Sequence, residues 1–400
     1  MNTASRAHPP LHRSSMVPRP WAGHPLLRPL RRVFGYRAPL LRRPDDARPL
    51  MLRRAALLVL VVLGAIVGTD TMIDVLPLHG ASWLEQGLLL LFGVLFAWIS
   101  AGFWTGVMGT WVLLRRRDHH AVTNRLRGPA VAILAEARTA IIVPICNEDV
   151  ATVLGGLCAT YESLARTAGH ERFDFFVLSD TGQPDLRAAE QAARSELAQA
   201  LQRDGQPVRV HYRWRQHRSR RKAGNVADFC RRWGADYRYM IVLDADSVMT
   251  GDCLTSLVRL MEAHPDAGII QTAPRASGHE TLHARIQQFG SRVYGPLSTA
   301  GMHYWQLGES HYWGHNAILR VAPFIAHCAL APLPGRTSLS GNVMSHDFVE
   351  AALMRRAGWK VWIAYDLDGS YEQLPPNLLA EVQRDRRWCH VNLQNSRLMF

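Results

Sequence analysis

YMIVLDADSV (239–248) is the stretch on which the fold turns: an apolar run of strand length that ends in two carboxylates, Asp244 and Asp246. A short apolar run without alternation suits a strand buried on both faces, as in a parallel sheet covered by helices. Working outward, the signature repeats. AIIVPI (140–145) runs into Cys146–Asn147–Glu148, and FDFFVLSD (173–180) ends at Asp180. VRVHYRW (208–214) leads into RSRRKAGN (218–225), and GIIQTAP (268–274) supplies a fifth run. Helix-like stretches lie between them, from Val150 to near Ala168, over 184–204, over NVADFCRRW (225–233), and from Asp252 to His264. This alternation predicts an α/β domain with a mainly parallel sheet, whose ligands gather at the carboxyl ends of the strands.

The polar residues just past those strands are therefore the candidates: Asn147 and Glu148, Asp180, the 218–225 segment, and Asp244 with Asp246. Each has a plainer reading, as a helix cap for Asn147 or Glu148 and as a turn former for Asp180. Their convergence on one sheet edge favours a site. Two carboxylates at i and i+2 after a buried strand are costly unless paired. A divalent cation, Mg²⁺ or Mn²⁺, bridging to phosphate oxygens solves that problem, because such ions prefer hard oxygen donors. RWRQHRSRRKAGN (213–225) clusters Arg213, Arg215, Arg218, Arg220, Arg221 and Lys222 before a Gly-flanked helix start, which makes an anion site. Beside a metal the anion is a diphosphate; no aromatic ladder accompanies the charge, so nucleic acid is not expected as a partner.

The net charge of +13 is uneven, since residues 1–54 hold twelve arginines against Asp45 and Asp46. This proline-rich stretch has no sustained apolar period and reads as a disordered, basic cytoplasmic arm. Two apolar runs follow, Ala55–Gly68 and Gly87–Leu114, giving two expected transmembrane helices within 55–114. Arg53–Arg54 precede the first, Arg115–Arg117 follow the second, and the connector carries only acidic charge. The positive-inside rule then puts the connector outside and everything beyond the 115–138 juxtamembrane linker in the cytoplasm. A chain that is 48% hydrophobic with 20% charged residues is not disordered as a whole, and a mean hydropathy of −0.08 excludes a chain made mostly of spans. Six cysteines without a CxxC pair read as reduced thiols.

Downstream, LGESHYWGHNAIL (307–319) reads as a loop-like stretch, and Trp305, Tyr312 and Trp313 are stacking surfaces for sugar rings or else core residues. SGNVMSHDFVEAALMRRAGW (340–359) sets Asp347 at a helix start, and EVQRDRRWCHVNLQ (381–394) joins Arg387 to Trp388. Taken together, PICNE (144–148), Asp180, RKAGN (221–225), the DAD of 244–246, SHD (345–347) and a QxxRW-like element resemble a processive family 2 glycosyltransferase with a GT-A fold. LSGNVMSHDFVEAALMRRAGW and QRDRRW look most like its glucans biosynthesis glucosyltransferase H group, which builds the β-linked backbone of osmoregulated periplasmic glucans in Gram-negative inner membranes.

The resemblance covers 139–400 and implies a set of roles. The loop Pro144–Glu148, with Asn147, and Asp180 would hold the uridine of UDP-glucose. Lys222 and Asn225 would lie near its diphosphate and ribose. Asp244 would contact the sugar nucleotide and Asp246 the metal. Asp347 would be the general base, with Arg387 and Trp388 steadying the leaving UDP and the growing glucan acceptor, and Trp313 beside that acceptor. It also implies inner-membrane lipids and periplasmic glucan-biosynthesis proteins as partners, and further membrane helices beyond the GT-A domain. Two departures stand out: His346 replaces the family's Glu before the base, and Gln383 lies one residue too far upstream for a strict QxxRW. Rival readings are a cellulose-, chitin- or hyaluronan-type synthase, an aspartyl-phosphate hydrolase using DADSV, and a non-catalytic nucleotide-binding membrane protein.

Overall fold

The computed structural model describes residues 16–18, 47–116, 118–128, 131–134, 136–203 and 209–399. The expected disordered arm lies mostly outside the described residues. The first apolar helix, α1 (Ala47–Val75), starts upstream of the expected Ala55, with Pro49 in its first turn, where the missing N–H is tolerated. The second, α2 (Trp83–Arg115), runs back beside it, and both are long and apolar enough to cross a membrane.

The α/β domain then follows. Its elements begin β1 (Thr139–Ile145), α3 (Val150–Ala165), β2 (Phe173–Ser179), α4 (Pro184–Arg203), β3 (Val210–Trp214) and α5 (Arg221–Trp233). They continue with β4 (Tyr239–Val242), β5 (Val248–Met249), α6 (Gly251–Ala263), β6 (Ala267–Thr272), β7 (Arg275–Ser277), α7 (Leu282–Val293) and α8 (Gly295–Gln306). Last come β8 (Ala317–Arg320), α9 (Val321–His327), α10 (Asp347–Arg356), β9 (Lys360–Ala364), β10 (Ser370–Gln373) and α11 (Leu378–Met399). The seven-stranded sheet has the order β3-β2-β1-β4-β8-β6-β9. Its pairings are parallel except those of β8, which runs antiparallel to both β4 and β6.

Period-2 alternation splits the strands between two cores. Ile141, Val143, Phe175, Val177 and Ile241 face α3 and α6. Ala140, Ile142, Phe176, Leu178 and Val242 face α5, α9 and α10. Pro144 sits in a central strand without harm, because β4 pairs with β1 only as far as Ile142↔Val242. The chain order reverses between β1 and β4, and the crevice at such a switch point is where α/β sheets hold ligands. A three-stranded sheet, β5-β10-β7, adjoins this edge.

Two observations depart from the sequence reading. The 307–319 stretch is not all loop, since its end forms β8, and α5 begins at Arg221, so Lys222 lies in a helical first turn. Trp305 and Tyr312, weighed as sugar-stacking surfaces, are buried at 6% and 1% exposure and pack in the core.

α8 is clamped to the apolar helices. A Cβ on Gly109 would lie 1.8 Å from the Leu297 carbonyl oxygen, and one on Gly301 would lie 2.0 Å from that of Thr105. Small residues here let α2 and α8 touch backbone to backbone. At the end of this contact His303 Nε2 lies 2.7 Å from Asp118, and Arg53 bridges Asp118 and the Tyr304 carbonyl at 3.3 and 3.1 Å. Arg54 reaches Glu309 at 2.8 Å.

Candidate active site

The loops after β1 and β2 carry the first candidate groups. After β1, Asn147 takes a positive φ of 59°, and its Oδ1 accepts from Gly182 N at 2.9 Å, tying the β1 loop to the β2 loop. After β2, Asp180 is buried and held bidentate by Arg215: Nε to Oδ1 at 2.9 Å, Nη2 to Oδ2 at 2.6 Å. The same Nη2 donates to the Arg221 carbonyl at 3.2 Å, joining Asp180 to the first turn of α5. Asn225, one turn on, is fully buried. Its amide donates to Leu178 O at 2.8 Å and its Oδ1 accepts from Arg213 at 2.6 Å, so it bonds to the protein itself.

Lys222 is the hub. Its Nζ pairs with Asp244 Oδ1 and donates to the Gly314 carbonyl at 2.8 Å. Gly314 has φ +89°, and a Cβ there would stand 3.3 Å from Asp347 Oδ2, so the loop before β8 lies directly against the start of α10. Ser345 Oγ donates to Asp347 Oδ1. Asp180, Lys222, Asp244 and Asp347 are thus linked contact by contact across one edge.

Two residues missed in the sequence complete this edge. His315 Nε2 lies 3.4 Å from Glu372 on β10 and 4.0 Å from Asp244. Glu148, Asp244, Asp246 and Glu372 then face one another across a half-buried space. Burial disfavours the charge on Asp244, but Lys222 and His315 outweigh it and hold the carboxyl below its usual range. Asp246 is pushed up by burial and by Asp244. Glu148 is pushed up by burial, Asp246 and Asp244; Glu372 rises through burial and the same two carboxylates, against the pull of His315. This unbalanced negative charge fits a hard divalent cation. Among the described residues no three His, Cys, Asp or Glu side chains form a ready-made metal cage, so the fit requires further oxygens from a ligand.

Other candidates stand apart. Trp313 is half-buried, with its backbone N–H bonded to Gln271 Oε1 at 2.9 Å. Arg387 and Trp388 are exposed on α11. Toward the site, Gln394 of that helix accepts from Met344 N at 2.9 Å and donates to Asn342 O at 3.0 Å, just before Asp347, and Arg384 bears electrostatically on Glu372. All six cysteines are free thiols.

Residues 140–327 match the Glycosyl transferase family 2 profile. The chain is 59% identical over 413 residues to glucans biosynthesis glucosyltransferase H of Ralstonia nicotianae, covering 99% of this chain and 47% of that protein. It is 60% identical over 405 residues to the protein of that name from Cupriavidus pinatubonensis, covering 98% of this chain and 46% of the relative. The chain thus spans about half the length of the curated relatives it matches. Among solved structures, a mannosyltransferase from Pyrobaculum calidifontis in complex with GDP-Man and Mn²⁺ aligns with TM-score 0.49 and 15% identity, over 75% of this chain and 73% of its own.

Proposed function

We propose that this chain, whose residues 140–327 belong to glycosyl transferase family 2, transfers glucose from UDP-glucose to a growing β-glucan with inversion. The observation that carries this reading is the Lys222 bridge. One ammonium contacts Asp244 and the Gly314 carbonyl, with Asp347 against Gly314, so a donor-side acid and a candidate base share one crevice. The relatives named glucans biosynthesis glucosyltransferase H support glucose as the transferred sugar and a glucan as the product.

In this mechanism the β1 loop with Asn147 and Glu148, together with Asp180, receives the nucleoside. Asp244 and Asp246 would hold Mg²⁺ or Mn²⁺, which when bound would neutralise charge on the diphosphate. An acceptor hydroxyl titrates far above neutral pH, so it needs a positioned base, and Asp347 takes its proton at a carboxylate oxygen. Charge building on the departing UDP is met by Lys222, an ammonium fixed before the reaction and so requiring no reorganisation during it. Arg387, Trp388 and Trp313 serve the acceptor, with α11 drawn to the site through Gln394. A single base and in-line attack give inversion without a covalent intermediate. The two apolar helices anchor the domain on the cytoplasmic face of the inner membrane, where nucleotide sugars are available.

The test incubates membranes containing the protein with radiolabelled UDP-glucose and Mg²⁺ and determines the linkage of the product. Asp347→Asn and Asp246→Ala each abolish incorporation while leaving the fold intact; full incorporation by Asp347→Asn removes the base assignment.

A further inference from the structure

The first turn of α10 contains a buried polar pair that the mechanism above leaves unused. His346 Nδ1 lies 2.9 Å from Glu350 Oε2, and the two residues are only 7% and 2% exposed. Their surroundings are largely apolar: Leu330, Leu333, Val343 and Val349 cluster beside the turn, with Ala223 of α5 packed against them. Cys328 Sγ stands 3.6 Å from the Glu350 carbonyl.

A buried imidazole–carboxylate pair is a weak stabiliser, and apolar residues of similar volume commonly fold as well or better in its place. Helix capping does not explain it either. His346 occupies the N-cap position, yet its side chain caps no backbone N–H. The ring instead reaches one turn along to Glu350, whose own backbone N–H donates to the His346 carbonyl at 2.8 Å. Side chain and backbone therefore fasten the same turn twice. Asp347 is the first residue of that turn, and its carboxylate is the group that meets Gly314. Ser345 orients one carboxylate oxygen, but Ser345 and Asp347 belong to the same short segment and cannot by themselves fix where that segment sits.

We propose that the His346–Glu350 hydrogen bond sets the position of Asp347 against the Gly314 loop, making His346 and Glu350 positioning residues for the base. This rests on the reading of Asp347 as that base. The direct hold of the pair on Asp347 runs through the backbone of the first turn; toward Asp244 and Lys222, His346 acts through space as a charge, with no hydrogen bond or ion pair to either among the described residues. Removing the bond therefore affects turnover and spares nucleotide binding, which Asp180, Lys222 and Asp244 govern from other elements. Displacing a catalytic group by about 1 Å lowers a rate by about 100-fold.

The experiment compares Glu350→Met with Glu350→Gln in the protein in membranes. The two replacements have similar volume and differ in whether an acceptor remains for the His346 N–H. UDP titration counts folded sites, so kcat is expressed per UDP-binding site and loss of folded protein does not imitate the effect. The expected result is a kcat lower by about 10- to 100-fold in Glu350→Met, with KM for UDP-glucose and UDP affinity unchanged within about 2-fold, and Glu350→Gln close to wild type. Wild-type kcat in Glu350→Met, or Glu350→Gln as slow as Glu350→Met, overturns the proposal. If Glu350→Met does not fold, the double replacement His346→Leu with Glu350→Leu leaves no buried polar group. Slow turnover with intact UDP binding then supports positioning, and wild-type turnover refutes it. Failure of the function reading is separate: wild-type protein would bind UDP and incorporate no glucose.

Discussion

Replacing Arg215 by Met tests whether Asp180 is held as a buried charge by its partner alone. The guanidinium is 11% exposed and the carboxylate 4%, and their two hydrogen bonds of 2.9 and 2.6 Å form a fork that a lysine would not reproduce. Deleting one member of such a pair strands the other charge, which destabilises by about 3–5 kcal/mol, whereas deleting both removes the problem. For a domain of this size each kcal/mol moves Tm by about 2–4 °C, so Arg215→Met should melt about 6–20 °C below wild type. Asp180→Asn combined with Arg215→Met leaves at most an unsatisfied amide, about 1–3 kcal/mol, and should recover most of that drop. The assay is tryptophan-fluorescence melting of detergent-solubilised protein, all variants at one scan rate, with and without saturating UDP. A nucleotide role for Asp180 adds a second expectation: UDP raises the Tm of wild type and does little for the double variant. Wild-type melting of Arg215→Met, or a double variant as unstable as the single, refutes the argument that Asp180 depends on this partner.

Three further outcomes are expected. Burial raises the Asp118 carboxyl, but hydrogen bonds from His303 and Arg53 outweigh it and hold the group well below the usual carboxylate range. A depressed carboxyl stabilises above its unfolded pKa of about 3.9 and loses that contribution as pH falls. Melting between pH 3 and 7 should therefore show an acid-labile component below about pH 4 that Asp118→Asn abolishes. Gly301→Ala forces a methyl into the Thr105 carbonyl and should destabilise by about 1–3 kcal/mol, while Gly290→Ala, with open space around it, should be neutral or stabilising by about 0.5–1 kcal/mol; thermal melts of both variants decide. With UDP present, Mn²⁺ should raise Tm and EDTA reverse it; Asp246→Asn should lose this shift, because it removes one of the carboxylates whose mutual repulsion a cation relieves.

How much of this was legible in the sequence depended on strand direction. The parallel strands β1, β2 and β4 each place candidate polar groups just after an apolar run, and Lys222 follows β3 across a short loop, so Glu148, Asp180, Lys222, Asp244 and Asp246 are legible as candidates by reading forward from a strand. β8 runs antiparallel to β4, with Ala317 opposite Val242. It therefore brings its entrance, and not its exit, to the same edge, and Gly314 and His315 stand before the strand, where a forward reading does not search. Glu372 was hidden for a different reason: it lies on β10 of the small sheet, whose short strands give too little periodicity to register. Arg215 was visible only as one of many arginines, since spacing alone does not distinguish a guanidinium forked onto Asp180 from one in solvent. The same limit explains His346. In sequence it stands as a substitution for an expected Glu beside Asp347. In three dimensions a carboxylate is nevertheless present in that turn, supplied by Glu350 one turn later at 2.9 Å from the imidazole, so the turn keeps a buried acid and gains a hydrogen-bond donor to hold it.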